Sequence, residues 1–266
     1  MHITENDLAI LVPVYKSPKE DLENFFLQLS KTGKIPYLFF AYEKGSCDFN
    51  LADEVKQWCD ENNTRYEILE LTGGAGLGFA LHSAVNAITK KYIMRHDLGD
   101  EILPNRLSDS LNELNRNPKI DILYTQAILK DRKKESISKY PLEKRILAKS
   151  FAFSNPICHP TVVFKRRSIL KIGNYDTSLR YCEDLDLWLR AYSQNLNFHC
   201  LNKATITYLK PDGVRLNANW RANLKVRIKN FGSPNYILSL IGIIAILIFL
   251  VIPDQWKGKV YKYVRN

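Results

Sequence analysis

Residues 8–15 read Leu8-Ala9-Ile10-Leu11-Val12-Pro13-Val14-Tyr15, and Ser17-Pro18-Lys19-Glu20 follows. Eight uncharged, mostly β-prone residues have the length and character of a strand buried on both faces, as in a parallel sheet. The next four place proline at a first helical position and space serine and glutamate as in a capping box, so the strand should feed a helix.

Downstream the same alternation recurs. Tyr37 to Tyr42 reads as a second strand that turns out through Glu43-Lys44-Gly45-Ser46. Leu51 to Glu61 reads as a helix and Arg65 to Leu71 as a third strand. A glycine-rich turn, Thr72 to Gly78, opens a helix expected to run through Thr89. Tyr92 to His96 is a fourth strand, ending in Asp97-Leu98-Gly99-Asp100; Pro104 opens another helix, and Ile120 to Leu129 is a further strand. This order predicts an α/β fold, a mostly parallel sheet with helices on both faces. Ligands of such sheets bind at the carboxyl ends of the strands, so the motifs after the first, second and fourth strands should meet in one crevice.

The chain has 266 residues, 45% of them apolar, enough for one larger α/β domain and an appendage. Its five cysteines are scattered with no CxxC pair, and no secretory segment opens the chain, so a reduced, cytosolic setting is expected. The formal charge of +10 is uneven: residues 1–129 sum to −6 and residues 130–266 to +16. A basic C-terminal half points to an anionic partner such as phosphate or an anionic membrane surface. No nucleic-acid recognition motif accompanies it, so nucleic acid is not an expected partner. Residues 130–149, rich in lysine and arginine, read as a mobile basic loop, as surface helices near a phosphate site, or as a plain solvated segment.

Residues 236–252 carry no charge and would reach roughly 25 Å as a helix, the lower limit for a membrane span. Basic residues flank both ends. The segment reads as a single span or as a helix lying in the interface, with a buried core helix as the alternative, and it divides the chain into 1–230 and a membrane-associated 231–266.

Two adjacent acids, Glu183 and Asp184, precede Leu185, Trp188, Leu189 and Tyr192, which recur on one helical face. Acids in a first turn suit the helix dipole, and the same arrangement holds a carboxylate still enough to act as a general base. Asp97 and Asp100, at a strand end, are of the kind that hold Mg²⁺ or Mn²⁺ against substrate phosphates. The glycine-rich turn is neither GxGxxG nor a P-loop, but it suits close approach to a ligand. His159-Pro160 stands before an apolar strand, Thr161 to Phe164, with basic residues after it.

Taken in order over roughly residues 8 to 215, these pieces resemble the family 2 glycosyltransferases of the GT-A fold. Val12-Pro13-Val14-Tyr15 is similar to that family's first-strand motif, and Glu43-Lys44-Gly45-Ser46 to its Asp-Asp-Gly-Ser turn. Gly76-Leu77-Gly78 with Ala80-Leu81 resembles its Gly-Leu-Gly-x-Ala-Leu start of a helix. Residues 92–107 resemble Tyr-Ile-Ala-Arg-Met-Asp-Ala-Asp-Asp-Ile-x-Leu-Pro-x-Arg-Leu. His159-Pro160, Gly173-Asn174-Tyr175 and Glu183-Asp184 look like the bacterial surface-polysaccharide branch.

The resemblance implies that Asp184 is the general base and that Pro13, Tyr15, Glu43, Gly76, Asp97, Glu183 and His159 contact substrate. It also implies a divalent ion, Mn²⁺ or Mg²⁺, at Asp97 and Asp100, with Lys210 and Arg215 as cations near the leaving group. The implied donor is a nucleotide-diphosphate sugar, UDP-linked, and the acceptor a lipid-linked saccharide at the cytoplasmic side of a bacterial inner membrane. Gly99 departs from the family, standing where the second acid of Asp-x-Asp is usual. That departure leaves a second reading, a nucleotide-sugar-binding protein without transfer activity.

Overall fold

The computed structural model describes residues 2–74, 76–131, 134–209, 217–253 and 256. Its first half follows the expected alternation: β1 (Leu8–Val14), α1 (Lys19–Leu29), β2 (Tyr37–Glu43), α2 (Leu51–Glu61), β3 (Tyr66–Leu71), α3 (Gly76–Ala87) and β4 (Tyr92–Arg95). β3, β2, β1 and β4 lie side by side and all run parallel. Alternate residues of each strand go to opposite faces, and each face is covered. Ala9, Leu11, Phe39, Ala41 and Ile93 meet α3 on one side. Leu8, Ile10, Leu38, Phe40 and Met94 meet α1 and α2 on the other. This two-sided burial explains why β1 carries no polar side chain.

Proline inside such a strand removes a backbone donor. Here β1 pairs with β4 only as far as Leu11, whose carbonyl accepts from the His96 N–H. By alternation the Pro13 nitrogen faces the same side, beyond the last paired residue, where β4 has already left the sheet.

The second half departs from the parallel expectation. It contains β5 (Glu101–Ile102), α4 (Arg106–Arg116), β6 (Ile122–Lys130), β7 (Glu135–Ile137), α5 (Lys144–Phe153), β8 (Val163–Lys165), α6 (Arg166–Lys171), α7 (Glu183–Ser193), β9 (Phe198–Leu209), α8 (Asn217–Lys229) and α9 (Tyr236–Val251). β8 runs antiparallel between β4 and β6, and β5 and β7 are also antiparallel to their neighbours. Only β6 and β9 pair in parallel there. The result, among the described residues, is a nine-stranded mixed sheet in the order β3-β2-β1-β4-β8-β6-β9-β5, with β7 beside β6.

Three local expectations have different outcomes. The Ser17 cap is not made; Pro18 is the residue before α1, and no side chain bonds to the helix start. The basic stretch meets its surface-helix reading from Lys144 onward, where it forms the first part of α5. Its apolar residues Leu147, Ala148, Phe151 and Ala152 are spaced on one face of α5 and are buried, which leaves the lysines outside. The C-terminal segment forms α9, sixteen residues long and packed against α8 and α5, and among the described residues no helix is long and apolar enough to cross a membrane.

One buried cation joins the two halves. Arg106, at the start of α4, is 1% exposed. Its Nη1 donates to His96 Nδ1 at 2.8 Å, and its Nη2 to the carbonyls of Arg95 and of Pro160. Removing a buried hydrogen-bonded charge leaves its acceptors unpaired. Arg106→Met should therefore lower stability by about 3 kcal/mol or more, measured by urea denaturation; a change below about 1 kcal/mol would refute the bridging role.

Candidate active site

The carboxyl ends of β1, β2 and β4 open on a cleft of about 940 Å³. Pro13 and Tyr15 enter it from β1, Glu43 from β2, Gly74 and Gly76 from the glycine turn, and Asp97, Gly99 and Asp100 from the turn after β4. Asp21 of α1 and Leu209 of β9 complete its rim. A smaller chamber of about 380 Å³ holds Asn155, Glu183, Asp184, Asn219 and Asn223. Leu77, Arg180 and Tyr181 line both spaces, so the two share a wall. The expected residues Pro13, Tyr15, Glu43, Gly76, Asp97 and Asp100 thus meet in one cleft, and Glu183 and Asp184 in its neighbour.

Each position has a local cause. Glu43 Oε1 accepts from the Gly74 N–H at 3.1 Å, which ties the end of β2 to the glycine turn. Gly76 has φ +82°, a region glycine enters without steric cost. Gly78 serves a different need: a Cβ there would stand 3.1 Å from the carbonyls of Asp176 and Leu179 and 3.4 Å from Glu183 Cβ. Only a glycine lets α3 approach the loop before α7 so closely. That loop ends at Cys182, a left-handed residue with φ +62° immediately before the two acids.

Glu183 and Asp184 begin α7 as expected, but their surroundings differ. Glu183 is buried, and burial first, then the charge of Asp184, pushes its carboxyl up to about 7. Asp184 is half-buried; it accepts from the Asn155 side-chain amide and from the Leu185 N–H. Further along the helix lies a partner set that periodicity did not reveal. Asp186 is fully enclosed and accepts from Arg190, Lys229 and the Asn230 amide at 2.8–2.9 Å, which locks α7 to the end of α8.

His159, expected to contact substrate, is placed inside the fold. It is buried, lines neither space, and shares a 2.8 Å hydrogen bond with the Tyr175 hydroxyl while the Trp188 ring meets it edge-on. Burial, and then the positive charge of Arg95, hold its imidazole well below the usual histidine range. Lys210 and Arg215 lie outside the described residues. Two residues missed from the sequence also border the larger cleft. Arg180 is the only lysine or arginine on the larger cleft among the described residues, facing the carboxylates Asp21, Glu43, Asp97 and Asp100. Asp21 Oδ2 would lie 3.4 Å from a Cβ at Gly99.

The glycosyl transferase family 2 model matches residues 9–173, from β1 through the His159-Pro160 loop to the glycine after α6. The chain belongs to glycosyl transferase family 2. Among its relatives, the amylovoran biosynthesis glycosyltransferase AmsE of Erwinia amylovora is 27% identical over 189 residues, covering 70% of this chain and 69% of that one. The UDP-Gal:alpha-D-GlcNAc-diphosphoundecaprenol beta-1,3-galactosyltransferase of Escherichia coli is 27% identical over 198 residues, 71% of each chain. The fold is that of the TarS 1–349 crystal structure from S. aureus in complex with UDP-GlcNAc. The TM-score is 0.70 at 13% identity, covering 94% of this chain and 77% of that one. The mixed α/β GT-A architecture and the surface-polysaccharide branch expected from the motifs are both met, and the chain is a glycosyltransferase.

This glycosyltransferase family implies a divalent ion, and two carboxylates suit one. Asp100 Oδ1 accepts from the Leu209 N–H at 3.1 Å, while its Oδ2 is enclosed without a hydrogen-bond partner. Asp97 faces the cleft, ion-paired on one oxygen with the buried Arg95. Mg²⁺ and Mn²⁺ take one or two carboxylates and complete their shell with water and phosphate oxygens, so Asp97 and Asp100 fit that pattern. Among the described residues there is no preformed group of three or more His, Cys, Asp or Glu ligands. Burial, then Asp97, pushes the Asp100 carboxyl up to about 7, so an arriving cation would compete with a proton there.

Two outcomes follow from this geometry. Gly99 has φ +96°, so Gly99→Asp sets a strained residue against Asp21. It should cost about 1–3 kcal/mol, and Asp21→Asn in the same chain should return part of that loss in a double-mutant cycle; strict additivity would show that the two positions do not touch. Glu183, whose folded value lies above its ordinary 4.5, keeps its proton while the unfolded chain loses one. Its contribution should therefore weaken stability as pH rises from about 4.5 to about 7. Glu183→Gln should raise the melting temperature at pH 8 and leave it nearly unchanged at pH 4; an equal shift at both would refute burial as the cause.

Proposed function

We propose that this chain moves a single hexose or N-acetylhexosamine from a nucleotide-diphosphate sugar, UDP-linked, to a lipid-linked saccharide, with inversion at the anomeric carbon. The pathway is the assembly of capsule, exopolysaccharide or lipopolysaccharide, at the cytoplasmic face of a bacterial inner membrane. Residues 1–230 would carry the reaction and 231–266 the attachment. The observation that carries this reading is the pair of adjoining spaces, a large cleft at the strand ends and a small chamber holding Asp184, divided by Leu77, Arg180 and Tyr181.

The donor occupies the larger cleft. Glu43 and the turn at Gly74 and Gly76 border the nucleoside end, and Asp97 and Asp100 the diphosphate end. A divalent ion held there supplies electrostatic stabilisation of the departing diphosphate. Arg180, lying over the Tyr181 ring at 5.9 Å and making no ion pair among the described residues, supports the same charge from the wall between the spaces. The acceptor enters the smaller chamber. Asp184 takes the proton from its hydroxyl, the oxygen attacks the anomeric carbon, and the bond to the diphosphate breaks on the opposite side. Asn155 and the Leu185 N–H fix the orientation of Asp184, while burial, then the charge of Asp184, holds the Glu183 carboxyl up at about 7.

Transfer of one sugar fits the chain better than polymer extrusion, because it has Trp220-Arg221 in place of the Gln-x-x-Arg-Trp of processive synthases. The names of the relatives support the setting: one is an amylovoran biosynthesis enzyme and another acts on a diphosphoundecaprenol-linked sugar.

Two variants separate the roles. Asp184→Asn should leave UDP binding nearly intact by titration calorimetry and reduce transfer by about 10²–10⁴-fold. Arg180→Met should weaken UDP binding as well as turnover. Near-normal transfer by Asp184→Asn would sink the assignment of the base.

A further inference from the structure

The helix α9 is apolar all round, and only one side of it is seated. Ser239, Gly242, Ile246 and Phe249 face the protein. The seat is close: a Cβ at Gly242 would collide with the Ala152 carbonyl of α5, the Phe249 ring meets Trp220 of α8 at 4.2 Å, and Ser239 Oγ donates to the Ser233 carbonyl at 2.8 Å. The other side carries Tyr236, Ile237, Leu240, Ile244, Leu247 and Ile248 to the surface, with Ile237 73% exposed. A helix lying on a soluble protein ordinarily turns a polar face outward, and a continuous exposed apolar face marks an interaction surface.

The charge around this face identifies the partner. The two helices that pack against α9 both carry exposed cations, Arg145 and Lys149 on α5 and Arg221 and Lys225 on α8. None of the four makes an ion pair among the described residues, and none of the three helices contains an acid. An apolar aliphatic face flanked by uncompensated cations matches acyl chains bordered by anionic head groups. Aromatic residues stand near both ends, Tyr236 and the exposed Trp256, as they do at membrane interfaces.

We propose that α9 lies in the plane of an anionic lipid bilayer, its outward face among the acyl chains, and that α8 thereby holds the Asp184 chamber at the bilayer surface. The second half rests on the function proposed above. The coupling is short. Arg227 of α8 donates to the carbonyls of Phe151 and Ser154 at the end of α5, beside Gly242 of α9. Its Nε donates at 2.7 Å to Asn223 Oδ1, and Asn223 lines the chamber. An acceptor whose lipid stays in the bilayer would then present its saccharide to Asp184 without leaving the membrane.

Flotation of the full chain with vesicles of phosphatidylethanolamine and phosphatidylglycerol tests the docking. The triple variant Ile237→Ser, Ile244→Ser and Ile248→Ser changes only exposed side chains, so it should fold, checked by its melting curve, and bind at least about tenfold more weakly. Replacing Arg145, Lys149, Arg221 and Lys225 by glutamine should abolish the preference for these vesicles over phosphatidylcholine alone. Equal flotation of wild type and triple variant would overturn the proposal. So would a wild-type dimer in light scattering that the triple variant dissolves, because the face would then belong to a second copy. Donor hydrolysis, read as UDP release without acceptor, should be the same in wild type and triple variant, while transfer to a lipid-linked acceptor falls. If wild type releases no UDP yet still floats, the reaction proposed above fails and the docking stands.

Discussion

Two buried guanidinium groups hold the end of β4, and the remainder of the site is arranged around them. Arg106 reaches from α4 to the backbone of Arg95 and of Pro160, so three segments distant in sequence meet on one cation. It also donates to His96, which can accept only while neutral. Burial, reinforced by Arg106 and Arg95, holds that imidazole well below the usual range, and Phe25 stacks on it at 5.2 Å. Arg95 is equally buried and finds its counter-charge in Asp97. Burying two cations would be costly without acceptors. Their partners are the strand-end carbonyl of Arg95, the Pro160 carbonyl, His96 and the carboxylate of Asp97, so pairing the charges fixes where those groups stand.

This arrangement explains the electrostatic contrast between the two spaces. The larger cleft gathers Asp21, Glu43, Asp97 and Asp100, with Arg180 as the one lysine or arginine in its described lining and Arg95 buried behind Asp97. A diphosphate would be repelled by that set unless the charge were altered on arrival, either by a divalent ion or by proton uptake at the buried Asp100. Gly99 fits the same constraint. With Asp21 already beside it, a further carboxylate there would concentrate negative charge and force a side chain into a backbone conformation that favours glycine. The departure from the family motif is thus accompanied in space by an acid from α1.

The sequence made some of this legible and hid the remainder, for physical reasons. β1, β2 and β4 were readable because burial on both faces writes an unbroken apolar run. Glu183 and Asp184 were readable because a first turn followed by a buried face has a period. In the antiparallel half β8 was readable as the apolar strand after His159-Pro160, whereas β5 and β7 have two and three residues, too few for periodicity to register. α5 was open to reading as a surface helix, but its lysines and arginines masked that its other face is core. His159 looked like a ligand contact because its one decisive feature, enclosure against Tyr175 and Trp188, is a tertiary fact. Asp21 and Arg180 had no motif of their own, and only the approach of α1 to the Gly99 turn, and of the loop before α7 to α3, gives them a place. Gly78 was quoted as part of a motif, but its reason, contact with two carbonyls, could not be read from spacing.

α8 is where these threads converge. Its Asn219 and Asn223 line the Asp184 chamber, its Arg227 holds the end of α5, and Lys229 at its last turn pairs with Asp176 and with the enclosed Asp186 of α7. Each contact alone would be an ordinary helix-packing device. Together they connect the helix that carries Asp184, the loop that carries Arg180 and the seat of the apolar α9 through one rigid element. A charge-satisfied link of that kind transmits position better than a loop does, because shifting it would expose several buried polar groups at once. The segment after β9 therefore does more than follow the sheet: it sets the distance between the apolar surface and the carboxylate at the start of α7.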